Sequence, residues 1–407
     1  MDDDILSQGG DREPSSWPRR LAVIGAVIVV AVAGVVYLSL PHHRQAPAAA
    51  APTPTPTASP VPAPAPASTP VSISFAAPGL PAEPDGILGH TASWDASLRI
   101  PVTGTRPALF SPATGRSEPI GGLPADSSGY QFTRVGGGWA VQASPVTAIA
   151  CGDCAGPPLP VWFLADNARS AVRIGTANQV APAATGGAVW LTSYPPAADT
   201  ATAAGIAREV SAAGAPLGVT VALPSGYAIA QGTDRGLLLA PASPQPGSAV
   251  YRLWTPAAPT FAGLIAASPA AIAWTSARCA PACQVQVLDL ATGKHTVVTL
   301  PPGSTAADGA FSPSGGSLAL QLTSGDDGAL AQRLEVASVT SGRLTAVPGT
   351  SVSSDALVGF GWPTGGDSLV AEFIFTTKVQ LASWRPGAAR LAVTVIPGRS
   401  QASLIVG

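Results

Sequence analysis

Four cysteines, four histidines and a thin scatter of carboxylates are the residues with which this 407-residue chain could do chemistry. The cysteines form two tight pairs, Cys151 and Cys154 in CGDC, and Cys279 and Cys283 in CAPAC. Three chemistries suit such pairs. Four thiolates can hold one zinc ion at about 2.3 Å. A C-x-x-C pair can cycle between thiol and disulfide. Two short bridges can staple loops in an oxidising compartment. The choice depends on where the chain sits and what it folds into.

The remaining groups offer little for catalysis. His90, Asp95 and one of many serines would be needed for a hydrolytic triad, but no G-x-S-x-G elbow positions a nucleophile. His295 follows a Gly293-Lys294 turn, which predicts a surface side chain. Asp326 and Asp327 lack the D-x-D-x-D-G spacing of a calcium loop. The run Gly136–Gly138 lacks the strand–loop–helix setting and the Lys-Ser/Thr of a phosphate loop. No catalytic residue, metal set or cofactor motif is therefore assigned. A formal net charge of −2, with 11% charged residues, argues against a nucleic-acid partner, which demands a basic face.

The elements that must carry these residues begin with LAVIGAVIVVAVAGVVYLSL, residues 21–40, twenty residues without a charge. At 1.5 Å per residue they span roughly 30 Å, a bilayer core. Arg19 and Arg20 precede the segment and Arg44 alone follows closely. The positive-inside rule puts residues 1–20 in the cytoplasm and the rest outside, anchored by one membrane helix. A cleaved signal peptide is the alternative, although its apolar region is usually about 7–15 residues. Residues 41–77 form a Pro/Ala-rich linker. Nine prolines between 46 and 70 favour polyproline II, which would reach roughly 78 Å over those 25 residues.

From residue 78 to 407 the chain repeats itself. VAPAATGGAVWLTS (180–193), VALPSGYAIAQ (221–231), AASPAAIAWTSA (266–277), AFSPSGGSLALQL (310–322) and FGWPTGGDSLVAEF (360–373) each read as strand, turn and strand. TRVGGGWAVQAS (133–144) is an earlier copy without the proline. The candidate helix at 200–214 contains Gly205 and reads better as a loop followed by a strand. A period of 42 to 50 residues with four strands per unit predicts an all-β propeller. Seven blades are expected, with six as the alternative. Residues 78–127 supply the incomplete first blade, and the C-terminal SLIVG is expected to complete it and lock the ring. The tryptophans at strand positions, Trp139, Trp162, Trp190, Trp254, Trp274, Trp362 and Trp384, are expected to pack between blades.

Phe311-Ser312-Pro313-Ser314-Gly315 followed by Leu318-Ala319 resembles the strand–turn–strand signature of TolB-like and WD-repeat-type β-propellers, and LDLATGK (288–294) resembles their third strand and turn. These families usually carry Asp where Ser314 stands. The resemblance implies a propeller that binds proteins or other ligands; a minority of such propellers are enzymes.

With blades in place, both cysteine pairs fall between a second and a third strand, in blades three apart. Hairpin tips so separated cannot share one zinc ion, and the βαβ setting of a thioredoxin-like motif is missing. Outside a membrane the expected pairs are disulfides, Cys151 with Cys154 and Cys279 with Cys283. The expected function is a membrane-anchored, extracytoplasmic module that binds an envelope protein or cell-wall component without catalysis. A propeller-type lyase or glycoside hydrolase working in the axial funnel is the alternative.

Overall fold

The computed structural model describes residues 93–396, except 103–105, 146–155, 167, 197, 243–248, 255–258, 277–281, 326–330, 354–355, 364–367 and 376–377. The segments read above as a cytoplasmic tail, a membrane span at 21–40, a linker and a closing strand at SLIVG lie outside the described residues. Among the described residues no helix is long and apolar enough to cross a membrane.

The described strands form seven antiparallel sheets. Blade 1 has three, β1 (Ile100–Val102), β2 (Ala108–Ser111) and β3 (Arg116–Pro119). Blade 2 has β4 (Ser127–Val135), β5 (Gly138–Pro145), β6 (Leu159–Ala165) and β7 (Val172–Ala177). Blade 3 has β8 (Gln179–Pro182), β9 (Ala188–Ser193), β10 (Ile206–Ser211) and β11 (Pro216–Ala222). Blade 4 has β12 (Tyr227–Thr233), β13 (Gly236–Pro241), β14 (Val250–Trp254) and β15 (Thr260–Ala262). Blade 5 has β16 (Leu264–Ala267), β17 (Ala271–Thr275), β18 (Gln284–Asp289) and β19 (His295–Thr299). Blade 6 has β20 (Ser304–Phe311), β21 (Ser317–Ser324), β22 (Ala331–Ser338), β23 (Leu344–Ala346) and β24 (Val352–Ser353). Blade 7 has β25 (Leu357–Gly361), β26 (Leu369–Ile374), β27 (Val379–Trp384) and β28 (Ala392–Ile396).

Side-chain packing turns these sheets into a closed ring. Among the described residues there are seven apolar clusters, each drawing on two neighbouring blades. The seventh joins Ile100, Val102 and Phe110 of blade 1 to Val370, Val379 and Leu381 of blade 7, and closes the circle. Second strands are apolar on both faces, which is why stretches such as AVW and LAL show no alternation: each face meets a different neighbour. Trp139, Trp162, Trp190, Trp362 and Trp384 are buried in these seams, while Trp254 and Trp274 are half-buried against them. The fold is thus an all-β, seven-bladed propeller, and the six-bladed alternative falls away.

The first strands of blades 2 and 3, 3 and 4, 5 and 6, and 6 and 7 touch one another, which places them nearest the centre. Five of them, β4, β12, β16, β20 and β25, carry a register shift against the second strand. Such bulges bend and twist a strand locally. Close approach between blades also needs glycine: a Cβ on Gly136 would stand 2.6 Å from the Cα of Gly186 in the next blade.

One repeat is phased differently from the sequence reading. VALPSGYAIAQ is the passage from outer strand β11 to first strand β12, whereas the hairpin of blade 4 turns at Asp234-Arg235 without a proline. An apolar–Pro–Gly–apolar run suits either connection, so the local pattern cannot distinguish them. Residues 206–211 are a strand, as the loop-then-strand reading of 200–214 expected.

Blade 6 splits its outer edge into β23 and β24, both paired with β22. Between them the Leu334 N–H donates to Thr350 Oγ1 (3.1 Å), and that hydroxyl donates to the Val347 carbonyl (2.8 Å). Thr350 is only 1% exposed, so its hydroxyl substitutes for a missing ladder partner. Thr350→Val should leave both groups unsatisfied and cost about 1–3 kcal/mol, read from a urea unfolding midpoint.

Candidate functional site

The loops that carry the two cysteine pairs fall largely outside the described residues. Cys151 and Cys154 belong to the connection from β5 to β6, Cys279 and Cys283 to that from β17 to β18. Only Cys283 is described. It is buried in the seam between blades 5 and 6, and its sulfur is not a free thiol. The imagined triad gains no support: His90 is outside the described residues, and the Asp95 carboxylate accepts from Ser97 Oγ (2.7 Å) and Ser97 N–H (2.8 Å) within its own turn. Those two bonds hold Asp95 below the usual carboxylate range. His295 is exposed, as its turn predicts, and meets the Trp274 edge at 5.9 Å. Among the described residues no three His, Cys, Asp or Glu converge on a metal position.

Two places stand out that the sequence did not single out. The first is Asp308, on innermost strand β20 directly after its bulge. Its side chain is exposed to solvent, yet burial pushes its carboxyl above the ordinary value, against a lowering by the Gly309 N–H (2.8 Å). The two facts agree when water reaches the group from the ring's centre while protein fills most of its surroundings. The folded protein then holds this proton more tightly than the unfolded chain. Stability is fully kept below the unfolded value near 3.8 and falls as pH rises toward the raised folded value. Asp308→Asn should therefore raise the thermal midpoint at pH 7 and leave it unchanged at pH 3. A lower midpoint at pH 7 would mean that the carboxylate is held by a partner.

The second is the outer rim. The large apolar side chains that are exposed among the described residues are Val172, Ile206, Leu217, Val219, Val250 and Val297, between 40% and 59% open. All six lie on third or outermost strands of blades 2 to 5. Arg173, Arg208 and Arg252 sit within two residues of three of them. None of these arginines enters an ion pair or side-chain hydrogen bond among the described residues. Some other guanidinium groups are engaged, Arg134 with Asp166, Arg333 with Glu335, and Arg235 with the carbonyls of Leu290 and Ala291 in the next blade, while Arg106, Arg116, Arg343 and Arg390 are as unpaired among the described residues as these three. Arg208 reaches over Gly175, where a Cβ would stand 3.1 Å from its Nη2. Arg252 is half-buried, and its Nε is shut off from water without an acceptor.

No family model and no curated protein matches the chain. Solved structures do. TolB from Acinetobacter baumannii is similar at 11% identity and a TM-score of 0.42, over 76% of this chain and 66% of that one. The β-propeller domain of the Trilobed protease from Pyrococcus furiosus gives 9% and 0.44, over 79% and 97%. Prolyl oligopeptidase B from Galerina marginata gives 9% and 0.46, over 81% and 51%. The chain thus spans about two thirds of the TolB chain and half of the peptidase. The fold assignment rests on strand pairing and seams, not on these likenesses.

Proposed function

We propose that the propeller is a non-catalytic binding module, carried outside the cell membrane by the span at 21–40 and held off it by the linker. Its partner is a protein or another component of the cell envelope. The observation that carries this reading is the grouping of every exposed large apolar residue described on the rim of four consecutive blades. Apolar carbon left in water on the outer strands of neighbouring blades is what a partner's surface would cover. The two cysteine pairs, Cys151 with Cys154 and Cys279 with Cys283, are proposed as disulfides that fix loops near the second-to-third strand turns. Their short loops make each modestly stabilising, less than the ~3 kcal/mol of a 15-residue loop.

The test is photo-crosslinking in intact cells from residues placed at Val172, Val250 and Val297, with Thr345 on the blade 6 rim as the control. Capture of one common partner from the first three and none from Thr345 supports the reading. Equal capture from all four, or none, overturns it. The enzyme alternative has Asp308 in its favour, because enclosed carboxyls with raised pKa values serve as general acids.

A further inference from the structure

Within this rim, the seam between blades 3 and 4 has the means to hold a particular kind of chain. Strand β11, PLGVTVA, is the longest outermost strand described and has no charged residue. It pairs with β10 on one side and with no described strand on the other. Five of its first six residues are exposed in sequence, from Pro216 to Thr220. The ladder with β10 slips by two residues between Thr220 and Pro216, and Gly218 within that slip sits at φ +81° with nothing within 4 Å of where a Cβ would stand, so the regular part of the open edge runs from Thr220 to Ala222. An uncovered edge presents a row of backbone N–H and C=O groups ready to pair with another strand.

The neighbouring blade supplies side chains to the same cleft. Val221 of β11 and Leu237 and Trp254 of blade 4 pack on one cluster. Val219 is exposed just before the regular part of β11, where the ladder with β10 slips. Arg252 pairs across to Leu239, which belongs to that cluster, so its guanidinium stands on the blade 3 side of β14. The seam therefore combines an open backbone edge, exposed aliphatic carbon at Leu217, Val219 and Val250, and one cation without an ion pair among the described residues.

We propose that this cleft binds an extended peptide segment that alternates aliphatic and acidic residues, adding a strand to blade 3. Its backbone pairs with β11, its aliphatic side chains cover Val219 and Leu217, and a carboxylate accepts from Arg252. The inference rests on the binding reading above and gives that reading a ligand class. Charge decides against a second copy of this chain, because two-fold pairing of β11 would bring two unpaired Arg252 groups to the same interface. An anionic lipid surface would satisfy the arginines but not the edge, whose backbone groups would lose water without gaining partners.

The probe is a fluorescein-labelled seven-residue peptide alternating valine and glutamate, titrated against the full chain in detergent micelles and followed by anisotropy. A valine–lysine peptide and phosphatidylglycerol vesicles run beside it. The glutamate peptide should bind at least tenfold more tightly than the lysine one. Arg252→Glu and Val219→Lys should each weaken it tenfold or more while circular dichroism stays unchanged. No binding, or binding that both variants leave intact, overturns the proposal. Vesicle binding lost in the same variants, without peptide binding, replaces the peptide by a membrane surface. In cells, capture at Val172 and Val297 with none from a crosslinker at Val219 sinks strand addition and leaves the rim as the binding surface. Capture at none of them sinks both.

Discussion

Phe373→Ala is expected to destabilise the propeller by about 3–5 kcal/mol. Phe373 has no exposed surface and is the fifth of the six residues of β26, in the seam between blades 6 and 7. It stacks on Phe375 at 6.5 Å with an 11° interplanar angle, and Leu334, Leu357 and Trp384 complete its surroundings. Strands locked into ladders on both sides cannot collapse into the space a phenyl ring leaves, since β26 pairs with β25 and β27 together. The cavity term should therefore be near its upper range. Urea unfolding of the variant beside Phe373→Leu is the measurement. A loss under 1 kcal/mol for the alanine variant would mean that this seam repacks freely.

Removing residues 397–407 is expected to cost as much or more. Six described passages run from the outermost strand of one blade to the first strand of the next. By that order β3 hands over to β4, so β3, β2 and β1 hold the fourth, third and second places of blade 1. The burial of β1 agrees: all three of its residues are buried, as in second strands such as β9 and β26, and unlike the partly exposed first strand β20. The innermost place of blade 1 is assigned to no described strand. Residues 397–407 follow β28 and come next in the same order, with Leu404, Ile405 and Val406 available for burial. Burying three such side chains contributes about 5–9 kcal/mol before entropy is counted. Truncation after Ile396 should lower the thermal midpoint and broaden the transition, and Ile405→Asp should do the same in part. A truncated chain as stable as the whole would show that other residues cover β1.

The repeat was legible because a propeller writes the same physical demand seven times. Pro182 and Pro313 sit where a first strand ends, and the small residues after them make the turn. At Ser314 a hydroxyl accepts weakly from Gly316 N–H (3.4 Å) and meets Ser312 Oγ (3.1 Å), so the turn has side-chain bonding. The rim was not legible for a different reason. Whether Val219 or Arg252 faces solvent depends on which neighbouring blade covers it, and that follows from the phase of the repeat. With VALPSGYAIAQ read as a hairpin, β11 would have been an inner strand and its apolar residues core. Asp308 escaped notice because a lone acidic residue in STAADGAF has no motif around it; only the position of β20 beside the axis makes it unusual.

The seams have a consequence for how such a molecule grows or shrinks over generations. Among the described residues every cluster belongs to two blades and none to a single blade. A duplicated blade therefore arrives with half of two cores, and it must match a face on each side. One old junction is lost, two new ones are made, and the remaining six need only change their angle slightly. Drift in the paired faces makes such matching harder with time: Trp190 against Leu239 in one junction has no counterpart in Ala273 against Leu320 in another. The more each junction is individually fitted, the more firmly the number of blades is frozen.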